Sequence, residues 1–299
     1  MSKVKVLATG SIGKKGHDFS VVKPPCWQFL MIKHRRPKLG QHFLSDPGYC
    51  SRVADVLELR RDDLVIEIGP GHGAMTKLLA LRAGNVVAIE LDSELAGELR
   101  QDFRHSPNVE IIQADVLQSD LGEICRAHNM ERCHIFGNVP YYITSPIIHH
   151  VLGFAPQIRA MGLLVQREVA GRLAAQPGSR DYGYLTVFTR LYSSPQVVLH
   201  VPPGAFSPPP KVHSAFVKFE MHAAEPSVGS ENEKDFLRFL KQSFAHKRKK
   251  LLNCLVPTST RQRVEAELER LGLPLQARAE ELSLEQFVAL FSALREGCQ

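Results

Sequence analysis

The chain lacks any CxxC pair. Its six cysteines are scattered, and the nearest two, Cys125 and Cys133, do not have metal-ligand spacing. Reduced cytosolic thiols are therefore expected, and no metal. No apolar run is long enough to span a bilayer. Residues 1–34 lack acids, with Asp18 the single one among several lysines, and they show no convincing periodicity. They also lack a sustained apolar stretch before a small-residue cleavage site, so a signal peptide is not expected. A mitochondrial targeting segment would share this basic, acid-poor character. The plainer expectation is a disordered extension, or an upstream start with Met31 as the natural one. Internal repeats are absent as well.

What is present suits a soluble globular protein, with 44% hydrophobic and 23% charged residues. The length allows one large and one smaller domain. A net charge of +6 and a pI near 9.0 lean mildly toward polyanionic partners.

Leu64–Ile68 is an apolar run with one acid, the pattern of a buried parallel strand. Gly69-Pro70-Gly71-His72-Gly73 follows, then a helical pattern over 74–81. Strand, glycine loop and helix make a nucleotide-binding unit, because glycines let the backbone approach a ligand closely. A second strand over 85–91 carries Glu90 near its end, at the spacing of an acid that binds ribose hydroxyls. Glu67 stands two residues before the first glycine, where it is able to meet an ammonium directly or through water. Ala74 takes the place of the third glycine of a dinucleotide fingerprint. Both features favour adenosine joined to an amino acid, which is S-adenosylmethionine. Asp115 follows a third strand over 109–113. It suits a hydrogen bond from an adenine amino group, and equally a loop acid capping a turn.

A fourth strand starting at Cys133 runs into Phe136-Gly137-Asn138-Val139-Pro140-Tyr141-Tyr142. An Asn oxygen and the Val139 carbonyl can accept the two hydrogens of an adenine amine, with Pro140 fixing the backbone. Tyr141 offers a flat face for the base. A strand-ending turn with two half-buried tyrosines would look the same. Ser145-Pro146 reads as cap and first residue of the next helix. Further on, the proline-dense loop 202–212 is expected to be rigid and to hold Phe206 outward, either to stack on a target base or to cover a sheet edge. After residue 223 a polar linker leads into helical patterning. There His246-Lys247-Arg248-Lys249-Lys250 forms a basic run, read as lying on a helix. It suits phosphate contacts or a solvated face.

Four motifs in order carry a family resemblance: Lys38-Leu39-Gly40-Gln41-His42-Phe43-Leu44, Glu67 to Gly73, Asn138 to Tyr141, and Phe206 to Ser214. Together they resemble the ribosomal RNA adenine dimethyltransferases of the small-subunit type, from about residue 35 to the end. The resemblance implies a Rossmann-like class I methyltransferase domain over 35–223 and a small helical C-terminal domain over 224–299. It implies N6,N6-dimethylation of two adjacent adenosines near the 3′ end of 16S rRNA, with S-adenosylmethionine as cofactor and a role in small-subunit biogenesis. It assigns His42, Leu44, Gly69, Glu90, Asp115 and Asn138 to the cofactor, and the glycine loop adds Gly71 as a candidate beside them. Asn138, Val139, Pro140 and Tyr141 fall to the target base, with Phe206 beside them. Lys247, Arg248, Lys249 and Lys250 are the candidate RNA contacts. His42 stands where many relatives have Asn, and Val139 where Leu is usual. A cytoplasmic monomer is expected. The macrolide-resistance methyltransferases of 23S rRNA share the motifs and form the nearest alternative. A non-catalytic RNA-binding assembly factor is another class, against which the intact Glu90, Asp115 and Asn138 speak.

Overall fold

The computed structural model describes residues 42–222, 227–246, 249–256 and 259–296. The expectations for 1–34, and for Lys247 and Arg248, lie outside them. Among the described residues nine strands are found: β1 (Phe43–Leu44), β2 (Leu64–Ile68), β3 (Asn85–Glu90), β4 (Val109–Gln113), β5 (Cys133–Asn138), β6 (Ile158–Gln166), β7 (Ser193–Val201), β8 (Phe206–Ser207) and β9 (Ser214–Met221). Seven of them form one sheet in the order β4-β3-β2-β5-β6-β9-β7. The first five are parallel, and β9 runs antiparallel between β6 and β7. The order reverses beside β2, so a crevice opens at the carboxyl ends of β2 and β5, where open α/β sheets bind ligands.

The sheet centre is buried for a compositional reason. Leu64, Val65 and Ile66 of β2 and Ile135 of β5 are all fully inaccessible, as expected of strands covered on both faces. Helices begin where local chemistry places them. Asp46 accepts from the Tyr49 N–H at 3.0 Å and caps the helix Pro47–Val56. Ser283 and Gln286 exchange bonds of 2.8 and 3.3 Å, the reciprocal capping box that opens the helix Leu284–Glu296.

Two local expectations change. The helix after the Asn138 motif spans Thr144–Leu152, with Ser145 inside it rather than capping it. The single turn Tyr141–Ile143 runs straight into it, and the Thr144 hydroxyl bonds back to the Tyr141 carbonyl at 3.3 Å. Nor do the described residues of the basic run, His246, Lys249 and Lys250, lie on a helix. One helix, Glu233–Ser243, ends before it, and the next, Leu251–Leu255, starts after it. Neighbouring like charges disfavour helix, and the Leu251 N–H is held by the Ala277 carbonyl at 2.8 Å instead. The C-terminal helices pack through aromatic rings, Phe236 against Phe291 and Phe239 against Phe287. Their buried side chains continue the core that begins under the sheet.

Candidate active site

The carboxyl ends of β2, β3 and β5, with the residues after β4, line one open cleft. His42, Gly69, Gly71, Glu90, Asp115, Asn138, Val139, Pro140 and Tyr141 all lie on its wall. Gly69 and Gly71 have φ of 69° and 58°, a region that favours glycine. A Cβ on Gly71 would fall 2.3 Å from the Phe43 ring, so a side chain there would push that ring from its place. Glu90 is 4% exposed and ties the loop to the strand. One carboxylate oxygen accepts from the Gly71 N–H at 3.2 Å, and the other from the Asp92 N–H at 3.0 Å. Asp115 accepts from the Leu117 N–H at 3.0 Å, so it does cap a turn, while also lining the cleft.

At the end of β5, the Asn138 amide donates to the His42 carbonyl at 2.9 Å. That bond sets which end of the amide is which, since a carbonyl demands a donor. Oδ1 is left as an acceptor. His42 also contacts the Pro208 carbonyl through Nδ1 at 2.8 Å, which makes Nδ1 the protonated nitrogen of the ring. The His42 and Tyr141 rings face each other with centroids 6.2 Å apart and planes 28° from parallel. Among the described residues, the Pro140 carbonyl is taken by the Ile143 N–H at 3.1 Å. The turn is thus closed one residue after Val139.

Three side chains named from the sequence, those of Phe206, Leu44 and Glu67, lie away from the cleft wall. Phe206 is 4% exposed and does not stand outward. It pairs across from Leu44 and packs in the cluster with Val53, Leu57 and Phe216. Strand alternation explains this, because the β1–β8 pair turns Leu44 and Phe206 to the core. The side chain of Leu44 is accordingly buried and off the cleft wall, and Phe43, which sequence reasoning passed over, faces the cleft instead. Glu67 is 1% exposed, outside the cleft, and accepts from the Thr76 hydroxyl at 2.6 Å. Burial pushes its carboxyl up to about 8 against the Thr76 bond, with the nearby Glu90 charge adding to the rise. It does not line the cleft directly. Lys249 and Lys250 are exposed, between two helices. Tyr142, 45% exposed at the cleft rim, is a further aromatic the motif supplied.

Residues 32–296 match the family model of the ribosomal RNA adenine dimethylases. The chain belongs to that family. It is 42% identical over 265 residues to a ribosomal RNA small subunit methyltransferase A of Acidobacterium capsulatum, covering 88% of this chain and 92% of the relative. A protein of the same name from Geobacter metallireducens is 40% identical, with 87% and 95% covered. Among solved structures, the 23S rRNA methyltransferase ErmE is 32% identical with a TM-score of 0.67, covering 84% of this chain and 99% of that one. A dimethyladenosine transferase from Plasmodium falciparum has a TM-score of 0.71 at 24% identity, covering 83% of this chain and 96% of that one, and supports the fold.

The adenine dimethylases use S-adenosylmethionine. The cleft of this member fits that cofactor by charge. Among the described residues its wall holds two acids, Glu90 and Asp115, and neither lysine nor arginine, an environment suited to a ligand carrying a sulfonium and an ammonium. Among the described residues, no helix is long and apolar enough to cross a membrane.

Proposed function

We propose that this chain methylates N6 of two adjacent adenosines near the 3′ end of 16S rRNA, in the small subunit or its precursor, giving N6,N6-dimethyladenosines. Its action as a cytoplasmic monomer in small-subunit biogenesis is part of the same reading. So is a division into a methyltransferase domain over 35–223 and a helical C-terminal domain over 224–299. Bound S-adenosylmethionine supplies an activated methyl. Gly69, Gly71, Glu90 and Asp115 hold the cofactor, and Asn138 to Tyr141 hold the base. Adenine N6 is a poor nucleophile, because its lone pair is delocalised into the ring. The task of the protein is to fix it in line and favour its pyramidal form. Asn138 Oδ1 and the Val139 carbonyl accept the two amine hydrogens. The base leaves its stack to enter, and Tyr141 replaces part of the stacking it loses. After one methylation only one hydrogen remains on N6, so Asn138 and Val139 cannot both be satisfied in the second round.

The observation that carries this reading is the Asn138 amide, whose N–H is spent on His42 so that its oxygen serves as an acceptor beside Tyr141. The 23S reading draws support from ErmE at 32% identity. The small-subunit relatives at 42% and 40% favour 16S rRNA. Under-methylated small subunits incubated with the protein and S-adenosylmethionine should gain dimethyladenosine at two neighbouring positions, read by mass spectrometry. Methylation of 23S rRNA alone would overturn the 16S assignment, and no adenosine methylation on either would overturn the reaction.

A further inference from the structure

The sequence motif Phe206 to Ser214 loses the role that an outward Phe206 would have given it. Its last residue meets the cleft in another way. The Tyr141 hydroxyl and Ser214 Oγ lie 2.8 Å apart, across 73 residues of chain. Ser214 is fully buried. It opens β9, and its backbone is paired on both sides, with Gln166 of β6 and with Val201 of β7. A hydroxyl on a residue held between two strands is a fixed point. Tyr141 sits on a three-residue turn rather than a paired strand, and the freedom of its ring about the side-chain torsions is limited by contacts, the facing His42 ring among them. The bond from hydroxyl to hydroxyl removes that freedom at the far end of the ring. It also attaches the anchor at the edge of the ring and not over a face, since the phenol oxygen lies in the ring plane.

We infer that Ser214 is a positioning residue for methyl transfer, setting the plane of the Tyr141 ring on which the extruded base stacks. The inference rests on the proposed reading of the cleft. It gives the proline-dense segment a function in place of base stacking: that segment returns the chain to the site so that β9 starts beside Tyr141. The Tyr141 hydroxyl is not a proton carrier in this account. Burial raises its pKa, opposed by the Ser214 bond, and the group stays neutral. The competing view is that Tyr141 merely satisfies a buried serine. A structural role would lower stability and leave the rate alone, whereas a positioning role appears in the rate at saturating cofactor.

The test is a double-mutant cycle on the full chain: wild type, Ser214→Ala, Tyr141→Phe and both together. Single-turnover transfer to under-methylated small subunits is read with S-adenosylmethionine saturating, and cofactor affinity by calorimetry. Each single variant deletes the same hydrogen bond, so each should slow transfer about three- to tenfold while cofactor affinity is kept. The double variant should be no slower than the worse single. Tyr141→Phe keeps the ring and leaves Ser214 in place, so it tests the bond even if Ser214→Ala does not fold. Wild-type rates in a folded single variant, or losses that multiply in the double, would overturn the inference. If the wild-type protein itself methylates no adenosine, it is the reading of the cleft that fails.

Discussion

The two walls of the cleft are assembled over very different spans of chain. On the glycine-loop wall, Gly71 and Glu90 are 19 residues apart, and the carboxylates of Glu90 and Asp115 each reach an N–H two residues on. On the Asn138 wall, the bonds span 96 residues from Asn138 to His42, 73 from Tyr141 to Ser214 and 166 from His42 to Pro208. The first wall is a property of one βα unit and its neighbours. The second exists only when the start of the described chain and the proline-dense segment both fold back onto β5. On the proposed reading the difference separates two tasks: holding a cofactor uses a standard strand edge, and holding a base uses parts gathered from the whole domain.

Asn138→Ala should break the second wall most severely. It removes an amine acceptor and frees the His42 carbonyl, so methyl transfer should fall roughly a hundredfold or more. Cofactor affinity should fall as well if Asn138 also touches the cofactor. Single-turnover mass spectrometry resolving mono- from dimethyladenosine should show unequal losses in the two rounds. Equal losses would argue against the shared-acceptor account. Glu90→Ala acts on the first wall. Loss of a buried, charged hydrogen bond should weaken S-adenosylmethionine binding about tenfold to a hundredfold by calorimetry. Unchanged affinity in a folded variant would remove Glu90 from the cofactor wall.

Glu67 sharpens the comparison by sitting just behind the first wall without belonging to it. Its carboxyl is raised on folding from the usual carboxylate range to about 8. The folded state therefore binds the proton more tightly than the unfolded chain. That contribution is complete below about pH 4.5 and is lost as pH rises to about 8, at about 1.4 kcal/mol per unit of displacement. Glu67→Gln should gain stability relative to wild type between those values, measured by urea unfolding across pH. A constant difference would show that Glu67 does not titrate there.

How much of this was legible in the sequence follows the same division. Glycine spacing, Glu90 at a strand end and the Asn138 motif are local signals, and the cleft gathers them. The burial of Phe206 was hidden because it depends on pairing with Leu44, more than 160 residues away. Glu67 was placed at the ligand because its position along the strand was visible while its bond to Thr76 was not. The start of the next helix at Leu251, after Lys249 and Lys250, goes with the Leu251 bond to Ala277, a contact that composition does not announce. The smallest expected effect lies there. Lys249 and Lys250 are exposed outside both walls, so Lys249→Ala with Lys250→Ala should lower the salt slope of RNA binding by about one to two and leave cofactor affinity unchanged. An unchanged slope would make the pair a solvated surface.

The division of labour between the walls is tested most directly by single-turnover methyl transfer as S-adenosylmethionine is raised to saturation, comparing Glu90→Ala with Tyr141→Ala on under-methylated small subunits. The Glu90→Ala rate should climb back to within a few-fold of wild type, because its defect is in binding. The Tyr141→Ala rate should stay low at every cofactor concentration. Recovery of Tyr141→Ala at saturation, or a Glu90→Ala rate that stays equally depressed, would contradict the separation of the two walls.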